Sequence, residues 1–138
     1  MKVVIDTNVL LVSISPKSAD YWLFELLLKG ELELCVTTDI LAEYAEIIEQ
    51  QMGAEIAELT VDLLLTLPNT RFIHKHFFWQ LVENDPDDNK FIDCAIAAQA
   101  KYLVSEDRHL RVINHYDYFG ITLLKLKAFQ QLYISGTL

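Results

Sequence analysis

The chain has few residues that interrupt helices and strands, with only four glycines and three prolines among 138 residues. It also lacks internal repeats, low-complexity stretches and glycine- or proline-rich linkers. A chain of this length can bury a sizeable core without disulfides or a structural metal. We therefore expect one domain that spans residues 1–138.

Long hydrophobic runs are missing as well. The apolar start, Met1–Ile5, reaches Asp6 too early for a secretory signal peptide. No run approaches the roughly 18 residues that a membrane helix needs. The only two cysteines, Cys35 and Cys94, lie in apolar segments and have no zinc-site spacing. We expect reduced, buried thiols, no membrane contact and a cytoplasmic location.

Basic residues are scarce. Lysine and arginine number 11 against 20 aspartates and glutamates, which gives a net charge of −9. Such a charge opposes tight, nonspecific binding to nucleic acid and favours a basic partner. Divalent cations bound at a carboxylate cluster would, however, reverse the charge locally. The composition is therefore compatible with a metal-dependent nuclease.

Short apolar segments alternate with segments of helical periodicity. Strands are predicted at Lys2–Ile5, Glu31–Val36, Arg71–Phe78, Tyr102–Ser105 and Gly120–Leu124. Helices are predicted at about residues 18–29, from Thr37 or Thr38, after Gly53, from Asp85 to about Ala100, at Arg108–Ile113 and from about Leu126. This alternation predicts an α/β fold, a three-layer α/β/α sandwich with a central, mostly parallel, Rossmann-like sheet.

Two acidic residues follow predicted strands. Asp6 ends the run Val3–Ile5, and Asp107 comes just after Tyr102–Ser105. Active sites of open parallel sheets lie beyond the carboxyl ends of the strands, so both carboxylates belong at that edge. Ser105 is close enough in sequence to bond to Asp107 and fix its rotamer. Each aspartate alone is also compatible with a simple turn or helix cap.

Two further acids lie on predicted helices. Glu43 shares a helix face with the apolar Ile40, which is equally typical of a ligand and of a boundary residue. Asp93 interrupts the apolar run Phe91–Ala98, where an unpaired carboxylate would cost several kcal/mol. Asn89, one turn earlier, could orient Asp93. A buried aspartate bonded to a neighbouring hydroxyl or amide is the structural alternative.

Asp88 competes with Asp93 for the same role. The two are separated by about 140° around a helix, so both cannot face one metal. A first-turn acid such as Asp88 also complements the helix dipole, and with Asp85 it has capping-box spacing. We favour Asp93 as a direct ligand and keep Asp88 as an outer one. Several carboxylates held together favour a hard cation, Mg²⁺ or Mn²⁺.

Four segments in order resemble motifs of the PIN (PilT N-terminal) domain family, which includes VapC-like toxins of toxin–antitoxin pairs. They are Asp6–Leu10 (DTNVL), Thr38–Glu43 (TDILAE), Asp93–Ala98 (DCAIAA) and Val104–Asp107 (VSED). A fifth, Asp85–Phe91 (DPDDNKF), is similar to a branch of the family that is assigned to toxins. The resemblance covers nearly the whole chain.

The resemblance implies Mg²⁺- or Mn²⁺-dependent hydrolysis of RNA. It implies a metal held by Asp6, Glu43, Asp93 and Asp107, with the ligands oriented by Asn8, Asn89 and Ser105. Lys90 and Arg108 are the best-placed contacts for RNA phosphates. The implied partners are RNA, a small antitoxin protein with a basic segment and, by analogy with the family, a second copy of the chain in a homodimer.

Two other functions are compatible with the sequence. One is a PIN-fold module with little or no turnover that binds protein or RNA through the aromatic clusters at residues 21–22, 77–79 and 116–119. The other is a phosphotransfer enzyme of the phosphatase or receiver type, which also has acids at strand ends. A phosphatase requires a second aspartate where this chain has Asn8, so phosphotransfer ranks third.

Overall fold

The computed structural model describes residues 1–137. Within that range the strands are β1 (Lys2–Ile5), β2 (Glu33–Val36), β3 (Thr70–Phe72), β4 (Tyr102–Val104) and β5 (Thr122–Leu124). The helices are α1 (Thr7–Ser13), α2 (Tyr21–Leu28), α3 (Thr38–Met52), α4 (Ala54–Thr66), α5 (Asn89–Ala98) and α6 (Leu126–Ile134). Short 3₁₀ turns span Pro86–Asp88, Arg108–His115 and Asp117–Phe119.

The strands form one parallel sheet in the order β3-β2-β1-β4-β5. β1 is the central strand, and Val3 aligns with Leu34 on one side and Tyr102 on the other. Residues Val3–Ile5 are fully buried, as expected for a central parallel strand covered on both faces. The predicted α/β fold, a parallel sheet with helices on both sides, is confirmed.

The helices of the α3–α4 hairpin begin and end where the sequence predicts. Thr37 caps α3, since its hydroxyl accepts a hydrogen bond from the Ile40 N–H at 3.4 Å. Gly53, with φ of +94°, separates α3 from α4, and a residue with a side chain would be strained there. Helix α3 packs against α1 and α5, and this packing brings Glu43 near the end of β1.

The structure differs from the predicted elements near the carboxyl ends of the strands. Helix α1 was not predicted, because the polar start Asp6–Asn8 is typical of a turn. The strand predicted at Arg71–Phe78 ends at Phe72, and residues 73–85 contain neither helix nor strand. The helix predicted from Asp85 begins with a 3₁₀ turn, and α5 ends at Ala98, before Gln99 with φ of +55°.

Two predictions from composition can be compared directly with the structure. Cys35 and Cys94 are buried free thiols, as predicted. Among the helices within residues 1–137, none has the length and apolar character that crossing a bilayer requires. The buried apolar residues form a core on both faces of the sheet, which leaves polar groups at the carboxyl edge of the strands.

Candidate active site at the carboxyl edge of the sheet

Asp6 lies at the end of β1 and is held by neighbours on two elements. Its backbone is extended and it caps α1, with Oδ1 accepting from the Asn8 N–H at 3.4 Å. Its Oδ2 accepts from the Ser105 hydroxyl at 2.5 Å. The residue is only 8% exposed. The side chain of Asn8, which was expected to orient the ligands, is instead exposed, and it is the backbone of Asn8 that contacts Asp6.

Asp107 reaches the same edge from β4. The Asp107 N–H donates to the Ser105 hydroxyl oxygen at 2.9 Å. The bond expected between Ser105 and Asp107 is therefore made with the Asp107 backbone, and it does not fix the rotamer of the Asp107 side chain. Asp107 also caps the 3₁₀ turn that follows, with Oδ1 accepting from the His109 N–H at 2.8 Å. The His109 imidazole Nδ1 is 3.5 Å from the same oxygen.

Asp88 is the third member of the cluster. It precedes α5, and its carboxyl lies against that of Asp107. Burial, followed by the Asp107, Asp85 and Asp6 carboxyls, raises the pKa of Asp88 to about 8. Burial also acts on Asp107, but hydrogen bonds from Asp88 and His109 outweigh it and lower the pKa of Asp107. The opposite pKa shifts show that the Asp88 and Asp107 carboxyls act on each other's ionisation.

The three aspartates Asp6, Asp88 and Asp107 form what we call the acid cluster. Burial raises the pKa of Asp6. The hydrogen bonds from Ser105 and Asn8 act to lower this pKa, and the nearby carboxylates of Asp107 and Glu43 act to raise it further. The Asp88 Oδ2 is buried and has no hydrogen-bond partner within residues 1–137. A buried carboxylate oxygen without a partner is costly. The three carboxyls supply oxygen donors, which suit a hard divalent cation such as Mg²⁺ or Mn²⁺.

Glu43 lies beside the acid cluster but is already paired. One carboxylate oxygen accepts from the Thr7 hydroxyl, and the other is 2.8 Å from the Lys90 ammonium. Lys90, only 8% exposed, also lies 2.8 Å from Asp87 Oδ2 and donates to the Asp87 carbonyl at 3.0 Å. Lys90 is therefore a buried counter-ion for Glu43, and its expected role as a contact for RNA phosphates stays a prediction.

Asp93 is placed apart from the acid cluster, which corrects its expected position. Its Oδ1 accepts from the Trp79 N–H at 3.1 Å, and the charged groups that act on it are those of Lys75 and Asp39. Only one of Asp88 and Asp93 faces the cluster, as their separation around the helix requires. It is Asp88, because the 3₁₀ turn Pro86–Asp88 brings that carboxyl to the sheet edge.

Asn89 supports a loop and makes no hydrogen bond with Asp93 within residues 1–137. Its amide accepts from the Val82 N–H at 2.8 Å and donates to the Val82 and Pro86 carbonyls at 3.0 Å. Together with the Asp93–Trp79 bond, this fixes residues 73–85 against α5. Sequence patterns could not reveal these contacts, because the strand predicted at Arg71–Phe78 excluded a loop there.

Two residues near the acid cluster were not identified from the sequence. Asp85, Asp88 and His109 can each present a ligand atom such that all three atoms lie within 4.8 Å of one another. Asp85 was interpreted as a helix cap, but its side chain makes no capping bond. The signal that could have identified Asp85 is that acidic residues flank Pro86 on both sides of one turn. His109 had no such signal, since its place depends on the 3₁₀ turn after Asp107.

Comparisons with known proteins agree with this architecture. The family model described as PIN domain matches residues 2–109. VapBC2 from Rickettsia felis, solved with a DNA fragment from its promoter, superposes with a TM-score of 0.62 at 16% identity, covering 91% of this chain and 98% of that one. FitAB, solved with the IR36 DNA fragment, gives a TM-score of 0.56 at 14% identity over 90% and 94% of the two chains. No curated protein matches the chain.

Proposed function

Because this chain belongs to the PIN domain family, we propose that it is a metal-dependent endoribonuclease that hydrolyses RNA phosphodiester bonds. The observation that carries the proposal is the acid cluster at the carboxyl edge of the sheet. Within residues 1–137 the Asp88 Oδ2 is buried without a hydrogen-bond partner, and Asp88 belongs with Asp85 and His109 to a group whose possible ligand atoms lie within 4.8 Å of one another. Repulsion among these groups is relieved when a divalent cation binds between them.

Asp6, Asp88 and Asp107 would hold the Mg²⁺ or Mn²⁺ ion, with Glu43 next to them. When bound, such an ion lowers the pKa of a coordinated water and neutralises charge on a phosphodiester. The residues of the chain fix the geometry of the cluster. Ser105 holds one oxygen of Asp6 and the backbone of Asp107, and the His109 N–H holds Asp107. No side-chain nucleophile is required, since water is the attacking group.

We further propose that the protein is the toxin of a toxin–antitoxin pair and acts in the cytoplasm. The proposal rests on the family and on the similarity to VapBC2 and FitAB. An apolar groove of about 310 Å³ between α4 and the α1–α2 region, with Ile56, Leu59 and Leu63 on its rim, suits a small antitoxin helix. The net charge of −9 suits an antitoxin with a basic segment. A homodimer remains a proposal by analogy.

The test is a titration of Mn²⁺ into chelator-treated protein, followed by calorimetry and by thermal unfolding. A bound ion stabilises the folded state by RT ln(1 + [L]/Kd), so we expect the melting temperature to rise with Mn²⁺. The same samples are assayed on structured and single-stranded RNA. Asp6→Asn should abolish both effects, whereas Glu106→Gln, at an exposed neighbour of Asp107, should retain both.

The outcomes separate the proposed enzyme from the alternative of a binding module. Cleavage that persists in EDTA or in Asp6→Asn would contradict a metal-dependent mechanism. Mn²⁺ binding without cleavage of any RNA would favour a PIN-fold module that acts through its partner. Absence of Mn²⁺ binding would make the acid cluster structural.

A further inference from the structure

A cleft between α5 and residues 72–79 has aromatic walls. It has a volume of about 490 Å³, and its lining includes Phe72, Phe77 and Trp79. Phe77 is 70% exposed and Trp79 42%, so both rings are open to solvent. Their centroids are 5.9 Å apart, which is within the range of an aromatic pair. We call this cavity the aromatic cleft.

Asp93 is the one acidic residue in the lining of the aromatic cleft. It is 3% exposed, yet it also lines two neighbouring cavities of about 390 and 560 Å³. Its Oδ1 accepts from the Trp79 N–H at 3.1 Å, and its Oδ2 has no hydrogen-bond partner within residues 1–137. A buried acceptor that is left unmet is costly. Asp93 therefore offers a free carboxylate oxygen to a ligand in the cleft.

The charge of Asp93 is not balanced by its neighbours. The charged groups that act on it are those of Lys75 and Asp39, and the Lys75 ammonium is already paired with Asp39 Oδ2 at 2.7 Å. Two carboxylates therefore share one ammonium, and the lining of the aromatic cleft contains no lysine or arginine. A buried carboxylate without a counter-ion favours binding of a cation.

The chain holds one of its own ammonium groups with the same two elements. The Lys75 ammonium lies 5.4 Å from the centre of the Phe78 ring while it pairs with Asp39. A ring face and a carboxylate together bind an organic cation, through cation–π attraction and a charge-assisted hydrogen bond. The aromatic cleft presents both elements, in the rings of Phe77 and Trp79 and the carboxylate of Asp93, to a cation from outside the chain.

We propose that the aromatic cleft binds a guanidinium group, which donates a hydrogen bond to Asp93 Oδ2 and packs its plane against the rings of Phe77 and Trp79. A guanidinium suits the cleft better than an ammonium does, because it is planar, stacks on rings and is more weakly hydrated. The net charge of −9 attracts such cations to the protein. The site is apart from the acid cluster, so the proposal is independent of the ribonuclease function.

The first test is calorimetric titration with N-acetyl-arginine amide, which carries its only charge on the guanidinium. N-acetyl-citrulline amide, a neutral molecule of nearly the same shape, is the ligand control. EDTA keeps metal out of the acid cluster, and a pH of about 8 keeps an ordinary imidazole neutral, since His74 and His76 also line the cleft. We expect the citrulline compound to bind at least about tenfold more weakly than the arginine compound.

The same titration is made on three aspartate variants. Asp93→Asn keeps an acceptor for the Trp79 N–H but removes the charge, and we expect it to bind the arginine compound at least about tenfold more weakly. Asp62→Asn, at an exposed position of α4, is the matched control and should bind as wild type does. Asp88→Asn locates the ligand, because a guanidinium held at the acid cluster would be lost there instead.

The second test concerns the rings. The chain has two tryptophans, and Trp22 packs elsewhere, against Phe129 and Tyr133. In Trp22→Phe the emission therefore reports Trp79, and we expect the arginine compound to change it saturably. Phe77→Ser, at an exposed ring that should not affect folding, should weaken binding about two- to fivefold. This variant tests the site even where Asp93→Asn proves unstable in thermal unfolding.

A further titration distinguishes the two sources of a guanidinium, a free small molecule and the arginine of a polypeptide. The probe is the capped tripeptide Gly-Arg-Gly. Tighter binding of the tripeptide than of N-acetyl-arginine amide would support a polypeptide ligand, and equal binding would support a small molecule; both results support the site.

Three results would overturn the inference. One is equal affinity for the arginine and citrulline compounds, and another is a loss of affinity in Asp88→Asn as large as that in Asp93→Asn. The third is binding that leaves the emission of Trp79 unchanged. None of these measurements uses RNA or a divalent cation, so failure of metal-dependent cleavage would contradict the proposed enzyme and leave this site standing.

Discussion

The hydroxyl of Ser105 donates a hydrogen bond to Oδ2 of Asp6, a residue 99 positions earlier in the chain. The same hydroxyl oxygen accepts from the Asp107 N–H at 2.9 Å. One serine at the end of β4 thus bonds to the carboxylate of Asp6 and to the backbone of Asp107, two residues that arrive from neighbouring strands. Parallel pairing of β1 with β4, in the register Ile5 to Val104, makes this contact possible.

We expect Ser105→Ala to weaken Mn²⁺ binding by about 10- to 100-fold, the range observed when the residues that orient metal ligands are lost. Mn²⁺ binding would weaken because the Asp6 side chain becomes free to adopt other rotamers and the hydrogen bond to the Asp107 backbone is lost. Calorimetric titration with Mn²⁺ measures the effect. Ser13→Ala is a matched control, since Ser13 is also buried and its hydroxyl donates to the Leu10 carbonyl, with no bond to a carboxylate among residues 1–137. Equal Mn²⁺ affinity in the two variants would contradict the orienting role of Ser105.

Asp88→Asn and Asp93→Asn should have different consequences. We expect Asp88→Asn to lower Mn²⁺ affinity by at least about tenfold, because Asp88 lies against Asp107. Asp93→Asn should leave Mn²⁺ affinity within about twofold, since an amide oxygen can still accept from the Trp79 N–H. Calorimetric titration of each chelator-treated variant with Mn²⁺ measures the two affinities. A larger loss of Mn²⁺ affinity in Asp93→Asn than in Asp88→Asn would identify Asp93 as the metal ligand.

The sequence was sufficient to predict the layers of the fold, for identifiable reasons. Central parallel strands are apolar on both faces, so runs such as Val3–Ile5 and Tyr102–Val104 are distinct from the amphipathic helices around them. Caps and breakers such as Thr37 and Gly53 then locate the helix ends. Because the carboxyl ends of parallel strands share one edge, the sequence places Asp6 and Asp107 at the same edge of the sheet.

The choice between Asp88 and Asp93 could not be made from the sequence. An apolar helix interrupted by Asp93 predicts an unusual environment for that carboxylate, and the structure confirms that it is buried, at 3% exposure. The group that satisfies it is a backbone N–H of Trp79, in a segment whose path no periodicity encodes. The sequence likewise makes Lys90 a candidate contact for RNA phosphates, and only tertiary packing shows that its ammonium pairs with Glu43.

Lys90→Met should destabilise the metal-free protein. Among residues 1–137, removing the ammonium leaves the Thr7 hydroxyl as the remaining side-chain partner of the Glu43 carboxylate, which is partly buried at 22% exposure. Loss of a charged hydrogen-bond partner from such a group costs about 1–3 kcal/mol. Urea unfolding at pH 7 measures the change. Asp87→Asn, which alters the more exposed partner of Lys90, should cost only about 0.5 kcal/mol.

The Lys90→Met protein also tests whether this lysine contacts RNA. The Lys90 ammonium is within 3.0 Å of three oxygens of the chain. We therefore expect Lys90→Met to change the affinity for a short single-stranded oligouridylate, measured by fluorescence anisotropy in EDTA, no more than Lys17→Ser does at an exposed lysine. A loss as large as that of Arg108→Ser would show that Lys90 leaves Glu43 to bind phosphate.

The Lys75–Asp39 pair, at 2.7 Å, should contribute a pH-dependent stability. Burial opposes ionisation of Asp39, but bonds from Lys75 and Thr37 outweigh it and lower the pKa of Asp39 below 3.8. A lowered folded-state pKa means that the stabilisation is complete above the unfolded-state pKa and is lost as pH falls through the folded-state value. The Asp39 side chain is 49% exposed, so we expect the pair to contribute at most about 1 kcal/mol.

Lys75→Met is therefore expected to be less stable than wild type at pH 7, with the difference shrinking as pH falls from 4 to 2.5. Urea unfolding at a series of pH values measures it. Lys127→Met is the control, since Lys127 is exposed and forms no salt bridge within residues 1–137; its difference from wild type should not vary with pH in this range. A pH-independent difference for Lys75→Met would mean that packing of Lys75 over the Phe78 ring, 5.4 Å away, accounts for its whole effect.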